Sequence, residues 1–155
     1  MCITGPKLRH IIIAFLRIDM TRELIREVQV EGSEGYLAFL DGFIDGLRVE
    51  LGLSEDVASN VVISLSEAMN NAFLHGNNGS KDVPIGVTVY RDNDMLAFAV
   101  SDSGDGFDYD LLRDDLSDDL LDVPGGRGIF IMRALADEVC FNEAGNETTL
   151  KFRIG

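Results

Sequence analysis

Basic side chains are scarce in this chain: 13 lysines and arginines stand against 27 aspartates and glutamates, for a formal charge of −14. Simple electrostatic attraction to nucleic acid or to an anionic lipid surface is therefore opposed, and neither is expected as a direct partner. There is no tryptophan, and 155 residues hold only three prolines and two cysteines. So little proline, with no repeat and no low-complexity tract, argues for one compact unit. Cys2 and Cys140 are too few and too far apart in sequence to suggest a metal cluster; Cys140 lies in an apolar run and reads as core, and a cytoplasmic, reduced protein fits. The apolar run Ile11 to Leu16 is far shorter than the roughly 20 residues needed to cross a bilayer, and it lacks a signal cleavage segment. Residues 1–21 are read as an N-terminal extension or extra strand, with Met20 as an alternative start, and residues 22–155 as the domain. With 46% hydrophobic residues the chain can bury a core, but there is no room for the dimerisation and phosphotransfer module of a sensor kinase.

The first informative segment is ISLSEAMNNAFLHGNNG, residues 63–79. A helix is predicted from Ser54, whose side chain and two following carboxylates suit a first turn, to His75, just before Gly76. Val57, Ala58, Val61, Val62, Leu65, Ala68, Met69 and Ala72 form one broad apolar face. Asn60, Ser64, Glu67 and Asn71 form a separate polar stripe, walled from the solvent face by Ile63 and Leu74. Glu67 and Asn71 are one turn apart and share a face. A carboxylate there can take a proton from water or a hydroxyl, and an amide oxygen is a hard ligand suited to magnesium carried on phosphates. Taken alone, the pair also suits surface residues or a cap network.

Two glycine-bearing segments change that balance. LAFAVSDSGDGFD, residues 96–108, reads as a buried strand followed by Asp102, Gly104 and Gly106. Asp102 can accept the exocyclic amino group of adenine, and glycines let a base approach the backbone, although the pattern equally suits a polar turn. VPGGRGIFIMRALADEV, residues 123–139, leads Gly125, Gly126 and Gly128 into an amphipathic helix. Unpaired amides at such a helix start make a phosphate site, which Arg127 could reach; a hinge or a tight packing point is the alternative. The spacing is neither that of a P-loop nor that of a dinucleotide fingerprint.

In that order the motifs resemble the Bergerat-fold ATPases, the superfamily of gyrase, heat-shock chaperone, histidine kinase and mismatch-repair ATP-binding domains. The closer similarity, over roughly residues 22–154, is to the small bacterial anti-sigma factors that act as serine-protein kinases. SEAMNNAFLHG resembles their N-box with its trailing His75-Gly76, SDSGDGFD their first glycine box, and GGRGIFIMRALADEV their second. The resemblance implies ATP and magnesium as cofactors, Glu67 as general base, Asn71 as magnesium holder, Asp102 as adenine ligand, and Gly126 and Gly128 as anchors of a lid over the phosphates. Gly145-Asn146-Glu147-Thr148-Thr149 stands where the family often closes its site with Gly-Thr or Gly-Ser, which brings Thr148 into the expected binding set. The implied partners are a sigma factor and an anti-anti-sigma protein, with a homodimer left open; the first helix offers no match for the family's partner-contacting arginine. A binding module without turnover and a stand-alone ATPase are the alternative functions.

The fold expected is α+β, a two-layer sandwich with helices on one face of a mixed sheet. Its elements are a strand at Leu24–Val30, helix Ser33–Glu50, helix Ser54–His75, a hairpin of Val83–Tyr90 and Met95–Ser101, helix Gly128–Asp137, and strands Val139–Phe141 and Thr148–Ile154. In the first helix Tyr36, Leu40, Phe43 and Leu47 fall at core spacing. Between the glycine boxes, seven aspartates and five leucines of residues 108–124 suggest an amphipathic lid that orders on ligand binding.

Overall fold

The computed structural model describes residues 22–31, 36–107 and 126–155. The expectations for residues 1–21, for the lid at 108–124 and for Gly125 lie outside them. Strand β1 (Arg22–Val30) is followed by helices α1 (Tyr36–Leu51) and α2 (Glu55–Asn71), the hairpin β2 (Ile85–Asp92) and β3 (Met95–Ser101), helix α3 (Gly126–Leu135), and a second hairpin, β4 (Glu138–Phe141) and β5 (Glu147–Arg153).

The strands form one sheet in the order β1-β2-β3-β5-β4. Among the described residues every pairing is antiparallel, so this sheet is not the mixed one expected. The reason lies in the connection. The chain crosses from β3 through α3 to β4, which runs parallel to β3, but β5 inserts between those two strands and turns both contacts antiparallel. The β2–β3 turn is two residues long, and Asn93 takes it at φ 56°, a left-handed conformation that asparagine tolerates.

Alternation along the strands sends Val87, Val89, Leu96, Phe98, Val100, Leu150 and Phe152 into one core with the helices. Helix α1 contributes Tyr36, Leu40, Ile44 and Leu47, while Phe43 is only partly buried and stacks on Phe39 at 4.9 Å between centroids. Helix α2 contributes Ala58, Val61, Leu65, Ala68 and Met69, and the Ser54 hydroxyl caps it by accepting from the Val57 amide at 3.2 Å. Ser64, expected in the polar stripe, is instead fully buried, and its hydroxyl has no hydrogen-bond partner among the described residues. Its helix position borders the apolar face, one turn from the buried Val61 and Ala68.

The opposite face of the sheet carries Ala97, Ala99, Thr149, Lys151 and Cys140. Cys140 is buried there rather than under the helices. Lys151 pairs with Glu138 at 2.8 Å. Among the described residues no helix is long and apolar enough to cross a membrane.

Candidate nucleotide-binding site

The polar edge of α2 meets the start of α3. Glu67 and Asn71 are half-buried, and both face Gly128. A Cβ at position 128 would lie 2.8 Å from Glu67 Oε2 and 3.3 Å from Asn71 Nδ2. A side chain at 128 would push the Glu67 carboxylate aside, so glycine there brings a carboxylate, an amide side chain and a helix start to one place. Gly126 and Gly128 are buried in that first turn, and Arg127 between them is exposed. Helix α3 begins at Gly126, two residues earlier than the sequence predicts. No group of three or more His, Cys, Asp or Glu side chains among the described residues could hold a metal ion. A single amide oxygen at Asn71 fits an ion that arrives with most of its ligands supplied by phosphates and water.

The predicted long helix does not run as an α-helix to His75. It ends at Asn71 and passes into a π-helical turn, Ala72–Gly76, closed by the Asn77 amide donating to the Ala72 carbonyl at 2.8 Å. Single π turns of this kind interrupt α-helices and re-aim the residues that come after them. Here His75 is exposed, Gly76 is turned onto Asp102 and Asn77 is turned inward, with 6% of its surface exposed.

Asp102 leaves the end of β3 beneath this turn. A Cβ on Gly76 would stand 2.5 Å from Asp102 Oδ1 and nearer still to the carboxyl carbon, so the Gly76 backbone lies directly on the carboxylate. Asp102 Oδ1 accepts from the Gly104 amide at 2.8 Å. Burial raises the Asp102 pKa from its ordinary value, and the Gly104 amide partly offsets the effect. Gly104 packs on the Gly76 carbonyl, and Gly106 at φ 82° packs on the Ala144 carbonyl. The close approaches these two glycines make are therefore between chain segments. Thr148 pairs with Val100 and so lies on the helix-covered face of the sheet.

Sequence reasoning missed three residues around this loop. Tyr36, read only as core, donates its hydroxyl to Asn70 Oδ1 at 3.4 Å, and burial, with a smaller contribution from the Glu67 charge, raises its pKa. Asn77 and Asn146 bond to the loop after β3 from opposite sides. Nothing local marked them, since asparagine in a turn is commonplace.

An antiparallel sheet under helices, with a carboxylate and an amide side chain at a glycine helix start and an aspartate at the end of a central strand, is the layout of a Bergerat-type ATPase domain. The sequence model described as the histidine kinase-like ATPase domain matches residues 42–152. The chain belongs to that family. It is also similar to the serine-protein kinase RsbW of Staphylococcus aureus strains JH9 and Newman, at 28% identity over 134 residues, covering 81% of this chain and 84% of the relative. The RsbW protein of the bovine strain RF122 matches to the same extent.

Proposed function

We propose that this chain binds ATP with magnesium and transfers the terminal phosphoryl group to a serine or threonine hydroxyl on a small protein partner, as an anti-sigma regulatory kinase. The observation that carries the reading is the contact of Glu67 and Asn71 with Gly128 at the start of α3. It puts a carboxylate able to take the hydroxyl proton beside amides able to bind phosphate. Asn71 Oδ1 is the oxygen that would hold magnesium, which when bound neutralises charge on the phosphates. Asp102 would accept the adenine amino group, with Gly76 holding the carboxylate in place. The similarity to a protein named serine-protein kinase RsbW supports phosphoryl transfer to serine. The motif resemblance supports a sigma factor and an anti-anti-sigma protein as partners.

Glu67→Gln tests the chemistry, because it removes the base while keeping size and much of the hydrogen bonding. Transfer from radiolabelled ATP to a purified anti-anti-sigma protein should fall by about 10²–10⁴, with ATP affinity little changed. Unchanged transfer would reject the base role. Retained ATP binding with no transfer by the intact chain, across anti-anti-sigma candidates, would favour a binding module.

A further inference from the structure

The loop carrying Asp102 is held from two sides by asparagine side chains. On one side the Ser103 amide donates to Asn77 Oδ1 at 3.0 Å. Asn77 Nδ2 donates to the Val83 carbonyl at 3.1 Å and lies 3.4 Å from that of Pro84. This nearly buried side chain thus ties the π turn, the approach to β2 and the loop after β3 together. On the other side the Asp102 amide donates to the Asn146 carbonyl at 3.0 Å, and Asn146 Nδ2 donates to the Gly104 carbonyl at 3.4 Å. Asn146 is itself held by Asn142, whose Nδ2 donates to Asn146 Oδ1 at 2.7 Å and whose Oδ1 accepts from the Asn146 amide at 3.0 Å.

These bonds account for three successive amides. That of Asp102 goes to Asn146, that of Ser103 to Asn77, and that of Gly104 to Asp102 Oδ1. Asp102 Oδ2 is left without a hydrogen-bond partner among the described residues, while Gly76 fixes the carboxylate from above. A loop with three successive amides engaged around its carboxylate holds that group in one place, and an ionised carboxylate can only accept hydrogen bonds.

We propose that Asn77 and Asn146 are specificity-determining positioning residues, which clamp the Asp102 loop so that one carboxylate oxygen selects a 6-amino purine over a 6-oxo purine nucleotide. The inference rests on the ATP-binding reading above and adds the residues that enforce its choice of base. A 6-amino group donates to the presented oxygen, whereas a 6-oxo group sets an acceptor against it. Rigid placement turns that difference into discrimination; a loosened loop lets the carboxylate withdraw and water intervene.

The test is calorimetric titration of the full chain with ATP and with ITP, in magnesium, for the native protein and for Asn77→Ala, Asn77→Asp and Asn146→Ala. Thermal melting of each variant reports folding separately. The native chain should prefer ATP. Asn77→Ala and Asn146→Ala should each weaken ATP binding by about tenfold and ITP binding much less, so that the preference shrinks. Asn77→Asp, which keeps the acceptor for the Ser103 amide, should retain more of the preference than Asn77→Ala. A general loss of fold would weaken both nucleotides alike and leave the ratio unchanged. If Asn77→Ala does not fold, the ratio in Asn146→Ala decides. ATP binding by the native chain with an unchanged ratio in the folded alanine variants would overturn the clamp alone, and absence of ATP binding by the native chain would overturn the nucleotide reading with it.

Discussion

Gly76→Ala puts the smallest perturbation at the most constrained point of the site. Gly76 is not among the glycines with positive φ, so alanine fits its backbone and the effect is steric. The new Cβ would stand 2.5 Å from Asp102 Oδ1 and nearer to the carboxyl carbon, whereas nonbonded carbon contacts settle near about 3.5 Å. The carboxylate must therefore retreat by about 1 Å or more. That movement strains or breaks the 2.8 Å bond from the Gly104 amide, and a hydrogen bond to a charged group is worth about 1.5–3 kcal/mol. It also withdraws the oxygen expected to meet the adenine amino group. Stability should fall by about 1–3 kcal/mol, and ATP affinity by about 10- to 100-fold in protein that remains folded. Urea denaturation and calorimetry measure the two effects separately. A Gly76→Ala protein that binds ATP within about twofold of the native chain would refute the placement of Asp102 under Gly76 as the adenine contact.

Other consequences can be measured independently. Asn71→Ala should remove most of the magnesium dependence of ATP affinity while leaving magnesium-free binding nearly unchanged, as titrations with and without a chelator would show. ATP affinity should drop as pH falls through the raised pKa of Asp102, because only the ionised carboxylate accepts from the amino group, and Asp102→Asn should flatten that dependence. In the unliganded protein the sign is opposite: a carboxyl whose pKa rises on folding contributes stability at pH below its unfolded value, and this is lost as pH rises through the folded one. Thermal melts across the acid range, compared with Asp102→Asn, would reveal it. Gly42 and Gly46 lie inside α1 with nothing within 4 Å of an added Cβ. Each alanine substitution should stabilise the domain by about 0.5–1 kcal/mol without altering ATP affinity, as paired denaturation and calorimetry would check.

Those parts of the site that depend on spacing within one element were legible in the amino-acid sequence alone. Glu67 and Asn71 share a face because four residues span one turn of helix, and Ser54 caps α2 because its side chain reaches an amide three residues on. A continuous apolar run marked β3, Met95–Ser101, and glycines before an apolar run marked α3. Strand order was different, since the direction of each pairing depends on β5 entering between β3 and β4, a choice made by contacts distant in the chain. The same holds for the turn after Asn71. Its residues suit an α-helix, and a π-helical turn carries Gly76 onto Asp102 and Asn77 under Ser103. Ser64 shows the limit from the other side: its helical position was legible, but its burial was not. Local periodicity says which face a side chain occupies. What that face meets is settled by tertiary packing, because burial and hydrogen-bond satisfaction belong to pairs of segments rather than to either one.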